Sequence, residues 1–211
     1  MTLAAQLAAG LEELGLDLDA ATRAQLLAYL RLLSRWNRIY NLTSVRDETA
    51  MVSAHLLDSL AVLPHLGPVA SLADLGSGAG LPGIPLALAR PQLPVSLIES
   101  RQKKASFLTQ AKIELAMDNL SVHPDRAEDL SASATWQPVQ AVISRAFADL
   151  AEFVRLGADL LAPGGRLLAM KGTLSAAELA AVPGGWRLSQ CLPLAVPGLA
   201  AERHLLIIEK A

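Results

Sequence analysis

Apolar residues recur every three or four positions through the first third of the chain, then gather into short runs separated by polar turns. Leu3, Leu7, Leu11 and Leu14 predict an amphipathic helix over 3–16. A second helix is expected over 20–40. Its stripe is Leu26, Leu30, Leu33, Trp36 and Tyr40, with Arg31, Arg35 and Arg38 on the opposite face. Those arginines either lie solvated or meet phosphate. The segment from Asn41 to Arg46 breaks the period. A third helix follows from about Asp47 to Leu63, carrying Met51, Leu56, Leu60 and Leu63 inward, and Gly67-Pro68 closes this helical preface.

Beyond it the pattern alternates strand and helix, which predicts a mostly parallel sheet with helices on both faces. Strands are expected at 70–75, Val95–Ile98, Leu120–Val122, Val139–Ser144 and Arg166–Met170. The intervening helices start at Pro82, span 101–117 and run from Leu150 to Leu161. The helix over 101–117 turns Phe107, Leu108, Ala111 and Leu115 inward and leaves Arg101, Lys103, Lys104 and Lys112 largely outside. Ala162-Pro-Gly-Gly165 should turn the chain into the fifth strand. Trp186–Leu194 and His204–Glu209 read as an edge hairpin that makes the last strand antiparallel to its neighbour.

Length adds a bound: 211 residues suffice for one substantial core with a small appendage. The expected division is a helical N-terminal extension over 1–66, packed on a Rossmann-like domain over 67–211. Although 52% of the residues are hydrophobic, no apolar run approaches the ~20 residues of a bilayer span. The N-terminus carries no basic or signal-like stretch, and the single Cys191 cannot form an intramolecular disulfide. A cytoplasmic protein away from membranes is expected. With 18 basic and 20 acidic residues the net charge is -2, so any nucleic acid must be held by a local patch.

The chemistry concentrates in residues 72–83, where a short apolar strand ending at Leu75 enters a turn with Gly76, Gly78 and Gly80 at alternate positions. Glycine accepts positive φ and lets backbone N–H groups approach a ligand with no Cβ in the way. Pro82 suits the first turn of a helix whose end would offer free donors. A nucleotide-like ligand is the natural guest of Gly76, Ser77, Gly78 and Gly80. About 20 residues further on, Glu99 ends the second strand, where a carboxylate hydrogen-bonds the two hydroxyls of a ribose. Asp125–Asp129 is either a polar turn facing an adenine or a short capped helix. Arg145 and Lys171 close the fourth and fifth strands, at the edge where open sheets of this kind bind ligands. Each either reaches the ligand or serves as counter-ion to Asp74 or Glu99. His55 and Asp58 lie three apart on a helix, too few ligands for a metal, and none is expected.

Two cofactors fit a glycine-rich turn with a downstream acid: a nicotinamide dinucleotide, favoured by Gly78-x-Gly80-x-x-Gly83, and S-adenosylmethionine. Asp74 before the first glycine, the Leu-Leu-Ala-Pro-Gly-Gly entry to strand five and the closing hairpin resemble class I S-adenosylmethionine-dependent methyltransferases. These are α/β proteins with a mostly parallel seven-stranded sheet whose last strand is antiparallel. The chain resembles one family more closely. Tyr40-Asn-Leu-Thr43, His55-Leu-Leu-Asp-Ser59, Asp74 through Pro85, Lys104 with Phe107-Leu108, Ile143-Ser-Arg-Ala146 and Glu202-Arg-His204 are similar to the RsmG (GidB) family of bacterial 16S rRNA guanine-N7 methyltransferases.

That resemblance implies methylation of guanosine 527 in the 530 loop of 16S ribosomal RNA, presented by the 30S subunit or an assembly intermediate. It implies that Gly76, Leu81, Ala127, Glu128 and Arg145 contact S-adenosylmethionine; Ser77, Gly78, Gly80 and Glu99 join them from the loop-and-acid argument. Leu81 stands where the family often has an aromatic residue. Lys171, Arg203 and His204 would form a basic rim for RNA, and Arg145 and Asn41 would serve at the reacting centre, Asn41 by orienting the guanine. Guanine N7 carries no proton, so no general base is required. The protein is expected to act as a monomer. The competing readings are a NAD-dependent oxidoreductase and a non-catalytic ribosome assembly factor.

Overall fold

A computed structural model describes residues 1–147 and 149–211. The first two helices follow their sequence signals closely. Thr2 caps α1 (Leu3–Glu13) by accepting from Ala5 N at 3.2 Å, and Asp19 caps α2 (Ala20–Tyr40) by accepting from Thr22 N at 2.7 Å. Asn41 ends α2 in the left-handed region, with φ 51°. Asn37 then staples the following loop, accepting from Thr43 N at 2.8 Å and donating to Val45 O at 3.2 Å.

The expected single helix over 47–63 is replaced by three pieces. A turn of α-helix, α3 (Glu48–Met51), widens into a π-helix (Val52–Leu57), tightens again as α4 (Asp58–Leu60), and is followed by a 3-10 turn (Leu63–His65). The Ser59 hydroxyl donates to His55 O at 2.6 Å where the widened stretch ends. Met51, Leu56, Leu60 and Leu63 are all buried as expected, because widening by one residue per turn keeps the apolar stripe inward.

Seven strands form one sheet in the order β3-β2-β1-β4-β5-β7-β6: β1 (Leu72–Leu75), β2 (Val95–Ile98), β3 (Leu120–His123), β4 (Val139–Arg145), β5 (Leu161–Lys171), β6 (Trp186–Pro193) and β7 (His204–Lys210). The first five are parallel, and β7 lies antiparallel between β5 and β6, as the hairpin pattern predicts. The fifth strand begins earlier than expected. Leu161 already pairs with Val139 and Arg166 with Ala141, so the proline and glycines bulge out within β5 instead of preceding it.

Alternation along the strands splits the core between the faces of the sheet. Leu72, Leu97, Ile143 and Leu168 point toward the N-terminal helices, α5 (Gly83–Ala89) and α6 (Gln102–Glu114). Ala73, Ile98, Val142 and Leu167 point toward α7 (Ala127–Ser131) and α8 (Leu150–Ala158). One buried cluster includes Leu7 of α1, Leu57 of the π-helix and Ile207 of β7, so the helical preface shares its core with the sheet. A short helix absent from the sequence reading, α9 (Ala176–Ala180), is closed by a capping box between Ser175 and Glu178. Among the described residues, no helix is long and apolar enough to cross a membrane.

Candidate functional site

The functional residues foreseen on the sheet stand at the carboxyl ends of β1, β2, β4 and β5 and, for Arg203 and His204, at the start of the antiparallel β7. The β1 turn is held from below. Gly76 N and Ser77 N both donate to Ile98 O, at 2.9 and 3.1 Å, and the buried Ser77 hydroxyl donates to Asp74 O at 2.7 Å. Tyr29 of α2, fully buried, donates its hydroxyl to Ala79 O at 2.6 Å. Gly78 has φ 59°, and a Cβ there would sit in ordinary contact with Gly76 O and Lys104 Nζ, each at 3.8 Å, so its backbone conformation and not a lack of space calls for glycine. Gly83 is glycine for another reason: a Cβ would collide with the Leu97 side chain and lie 2.7 Å from Asp74 Oδ2.

The helix end after this turn does not supply the free donors expected of it. Pro82 is the residue preceding α5 and not its first turn, Gly83 N donates to Asp74 Oδ2 at 2.9 Å, and Ile84 N donates to Gly80 O at 2.8 Å. A pyrophosphate would have to displace these bonds, which weighs against the nicotinamide reading of Gly78-x-Gly80-x-x-Gly83. Asp74 itself is fully buried. Its Oδ1 has no partner among the described residues, and burial pushes its carboxyl up to about 7 despite the Gly83 N–H and the nearby Arg145. The chemistry that relieves such a group is a nearby cation.

Glu99 stands beside this turn with both oxygens engaged, Oε2 accepting from Gly78 N and Oε1 from Arg101 N, each at 2.9 Å. Each carboxylate oxygen retains a lone pair, so the pair of ribose hydroxyls foreseen for it can still be accepted. Gly76, Glu99, Ala127 and Glu128 line one crevice of about 180 Å³ with Asp125 and Phe147. Both readings of Asp125–Asp129 hold in part: Asp125 and Arg126 form a bend on this crevice, and a short helix without a side-chain cap starts at Ala127, with Ala127 buried and Glu128 exposed. Leu81 is buried in the core, so whatever it offers a ligand comes from its backbone.

A second crevice, about 470 Å³, opens next to the first. Arg145, Lys171 and Arg203 line it, with His55, Asp58 and Phe147. Among the described residues neither Arg145 nor Lys171 forms a salt bridge with Asp74 or Glu99, as one sequence alternative held, although Arg145 lies near enough to Asp74 to act on it through space. The completely buried carboxylate of Asp58 takes Arg145 Nη1 at 2.7 Å and Arg203 Nε at 2.9 Å, joining the helical preface to β4 and to the start of β7. Arg145 Nη1 also donates to Ala54 O at 2.8 Å inside the π-helix. Lys171 Nζ pairs with Glu178 at 2.9 Å and donates to Phe147 O at 3.0 Å. His204 Nδ1 hydrogen-bonds Gly172 O at 2.9 Å on the rim of this crevice.

His55 is the neutral member of the group. Burial, with Arg145 close by, lowers it to about 4. Its Nδ1 donates to Ala54 O at 2.9 Å, leaving Nε2 to accept from the Thr43 hydroxyl at 2.9 Å. Asn41, two residues before Thr43, has an exposed side chain at the left-handed end of α2. His55 and Asp58 therefore serve the hydrogen-bond order of this crevice.

Phe147 is the residue that sequence reasoning missed. It lines both crevices, its ring lies 3.8 Å from where a Cβ on Gly76 would sit, and it packs against Phe153 at 5.7 Å. The available signal was an aromatic residue two positions beyond Arg145, in a chain with three phenylalanines.

The family model GidB, described as rRNA small subunit methyltransferase G, matches residues 22–206. A Ribosomal RNA small subunit methyltransferase G of Aromatoleum aromaticum is 56% identical over 98% of this chain and 99% of its own length. Among solved structures, the mitomycin 7-O-methyltransferase MmcR superposes with a TM-score of 0.60 at 18% identity, over 90% of this chain and 67% of that one. A mutant of MtNAS in complex with S-adenosylmethionine reaches 0.60 at 14% identity, over 86% and 73%. These two show the fold, that of class I S-adenosylmethionine-dependent methyltransferases.

Proposed function

The chain belongs to the rRNA small subunit methyltransferase G family, and from that premise we propose that it methylates N7 of guanosine 527 in the 530 loop of 16S rRNA. S-adenosylmethionine is the methyl donor. It acts in the cytoplasm as a monomer, on the 30S subunit or an assembly intermediate. The observation that supports this reading best is the meeting of two unlike crevices at Phe147, one built for a nucleoside and one lined by Arg145, Lys171 and Arg203.

The residues present fit the cofactor. Glu99 provides acceptors for a ribose, Gly76, Gly78 and Gly80 curl the turn beside it at positive φ, and the orphaned Asp74 oxygen favours a positively charged group close to the turn. When bound, the cofactor supplies a methyl group on a cationic sulfur, which an in-plane lone pair takes by in-line displacement while the bonding electrons pass to sulfur. Guanine N7 gains a positive charge and loses no proton, so the site needs orientation more than a base, and orientation can be worth several kcal/mol, on the order of 7–11 at its best. The neutral His55 is consistent with this, since nothing in the reaction asks it to carry a proton. Arg145, Lys171, Arg203 and His204 hold the RNA, Asn41 steers the base from the loop above α2, and Gly76, Ser77, Gly80, Leu81, Ala127 and Glu128 complete the cofactor cradle.

Incubation with labelled S-adenosylmethionine and unmodified 30S particles, followed by digestion of the rRNA to nucleosides, tests the chemistry. Label should run with N7-methylguanosine. Label in any other methylated nucleoside would overturn the N7 assignment.

A further inference from the structure

We propose that Phe147 is the platform on which the target guanine stacks, so that this nucleotide leaves its own base stack and enters the protein extruded. The inference rests on the methyltransferase reading above and specifies how its substrate must be presented.

Four observations converge on this ring. Phe147 is half-buried and borders both crevices, so a base on its exposed part lies between the basic rim and the nucleoside crevice. Its covered part rests over Gly76 and against Phe153, with an interplanar angle of 52°, which fixes the ring from behind. Its carbonyl accepts from Lys171 Nζ at 3.0 Å, tying its backbone to the end of β5. Finally, Ala146 immediately before it has φ 62°, a conformation unusual for a non-glycine residue that redirects the chain at the end of β4. Such an outlier between Arg145 and an aromatic ring at a crevice is the kind of local strain that sites retain.

The chemistry calls for this arrangement. The N7 lone pair lies in the plane of the purine, so a base held by its face presents N7 edgewise toward the neighbouring crevice. Enzymes that modify bases reach them by unstacking, and stacking on an aromatic side chain compensates the lost neighbours. Arg145 and Arg203, locked on Asp58, then flank the base with charge suited to its phosphates.

Three substitutions and a cross-link test the proposal. At saturating S-adenosylmethionine, Phe147→Leu should lower kcat/KM for 30S particles by roughly 10- to 100-fold, while Phe147→Tyr and Phe147→Trp stay within a few-fold of wild type. Benzoylphenylalanine placed at 147 should cross-link under ultraviolet light to 16S rRNA at the methylated guanosine. Full activity of Phe147→Leu, or a cross-link mapping elsewhere in the rRNA, would overturn the platform. So would a Phe147→Leu defect confined to cofactor affinity, measured by calorimetry, with KM for the particles unchanged. Wild-type protein that labels no rRNA would instead remove the reading on which the platform rests.

Discussion

Asp74 sits beneath the glycine turn with one oxygen bound to Gly83 N and the other unsatisfied, and burial raises its carboxyl from 3.8 to about 7. A raised acid binds its proton more tightly in the folded state. Its contribution to stability is complete below about pH 4 and is lost as the pH rises through about 7. His55 has the opposite sign, since its lowered value makes the fold lose stability as the pH falls from 6.5 toward about 4, and a substitution at Asp74 leaves that imidazole in place. In Asp74→Asn the Gly83 bond keeps an acceptor and the titration disappears. The thermal midpoint of wild type, without cofactor, should therefore fall relative to that of Asp74→Asn by several degrees between pH 4 and 7. Parallel curves would refute this account of Asp74. At this scale the sequence showed identities better than partners. Glu99 and the alternate glycines were legible because their chemistry is local, 21 positions from Gly78 to Glu99. The pairing of Arg145 with Asp58 joins residues 87 apart and obeys only the fold, so a charge at a strand end was visible and its counter-ion was not.

The π-helix is the element that shapes the basic crevice, since it carries His55 and presents the Ala54 carbonyl to Arg145. It is held from outside by α1, whose Gly10 comes so close that a Cβ would run into the Leu57 side chain. Gly10→Val should cost about 1–3 kcal/mol by overpacking this contact, measured by chemical denaturation. Gly10→Ala should cost less, because about 1 kcal/mol of helix propensity offsets the shift of the Leu57 methyls. Equal stability of wild type and Gly10→Val would show that α1 does not brace the π-helix. Helix α2 was legible because a regular stripe marks it and the pattern breaks at Asn41. The π-helix was not, because it buries the same leucines as the α-helix expected in its place. The bulge in β5 escaped for a similar reason: proline and two glycines read as a turn, and only pairing with β4 reveals that the strand continues through them.

Over the whole molecule, the alternation of apolar runs was enough to read the layered sheet and its antiparallel last strand, since each follows from period and connection length. Which residues of the helical preface meet the sheet, such as Leu57 and Ile207 in one cluster, was not legible, because periodicity tells which face is buried and not against what. A chain of net charge -2 must bind RNA through a local patch, and the arginines joined on Asp58, with Lys171, are where cationic groups converge beside the crevice that Glu99 lines. Such a patch is small, so affinity should come from a folded particle that presents the loop and not from naked RNA. The most direct test maps label from S-adenosylmethionine along 16S rRNA after incubation with unmodified 30S particles or with naked 16S rRNA. The account predicts one methyl group, at guanosine 527 in the 530 loop, formed efficiently only on the particles. Methylation at another site, or tight cofactor binding with no label in either substrate, would contradict it.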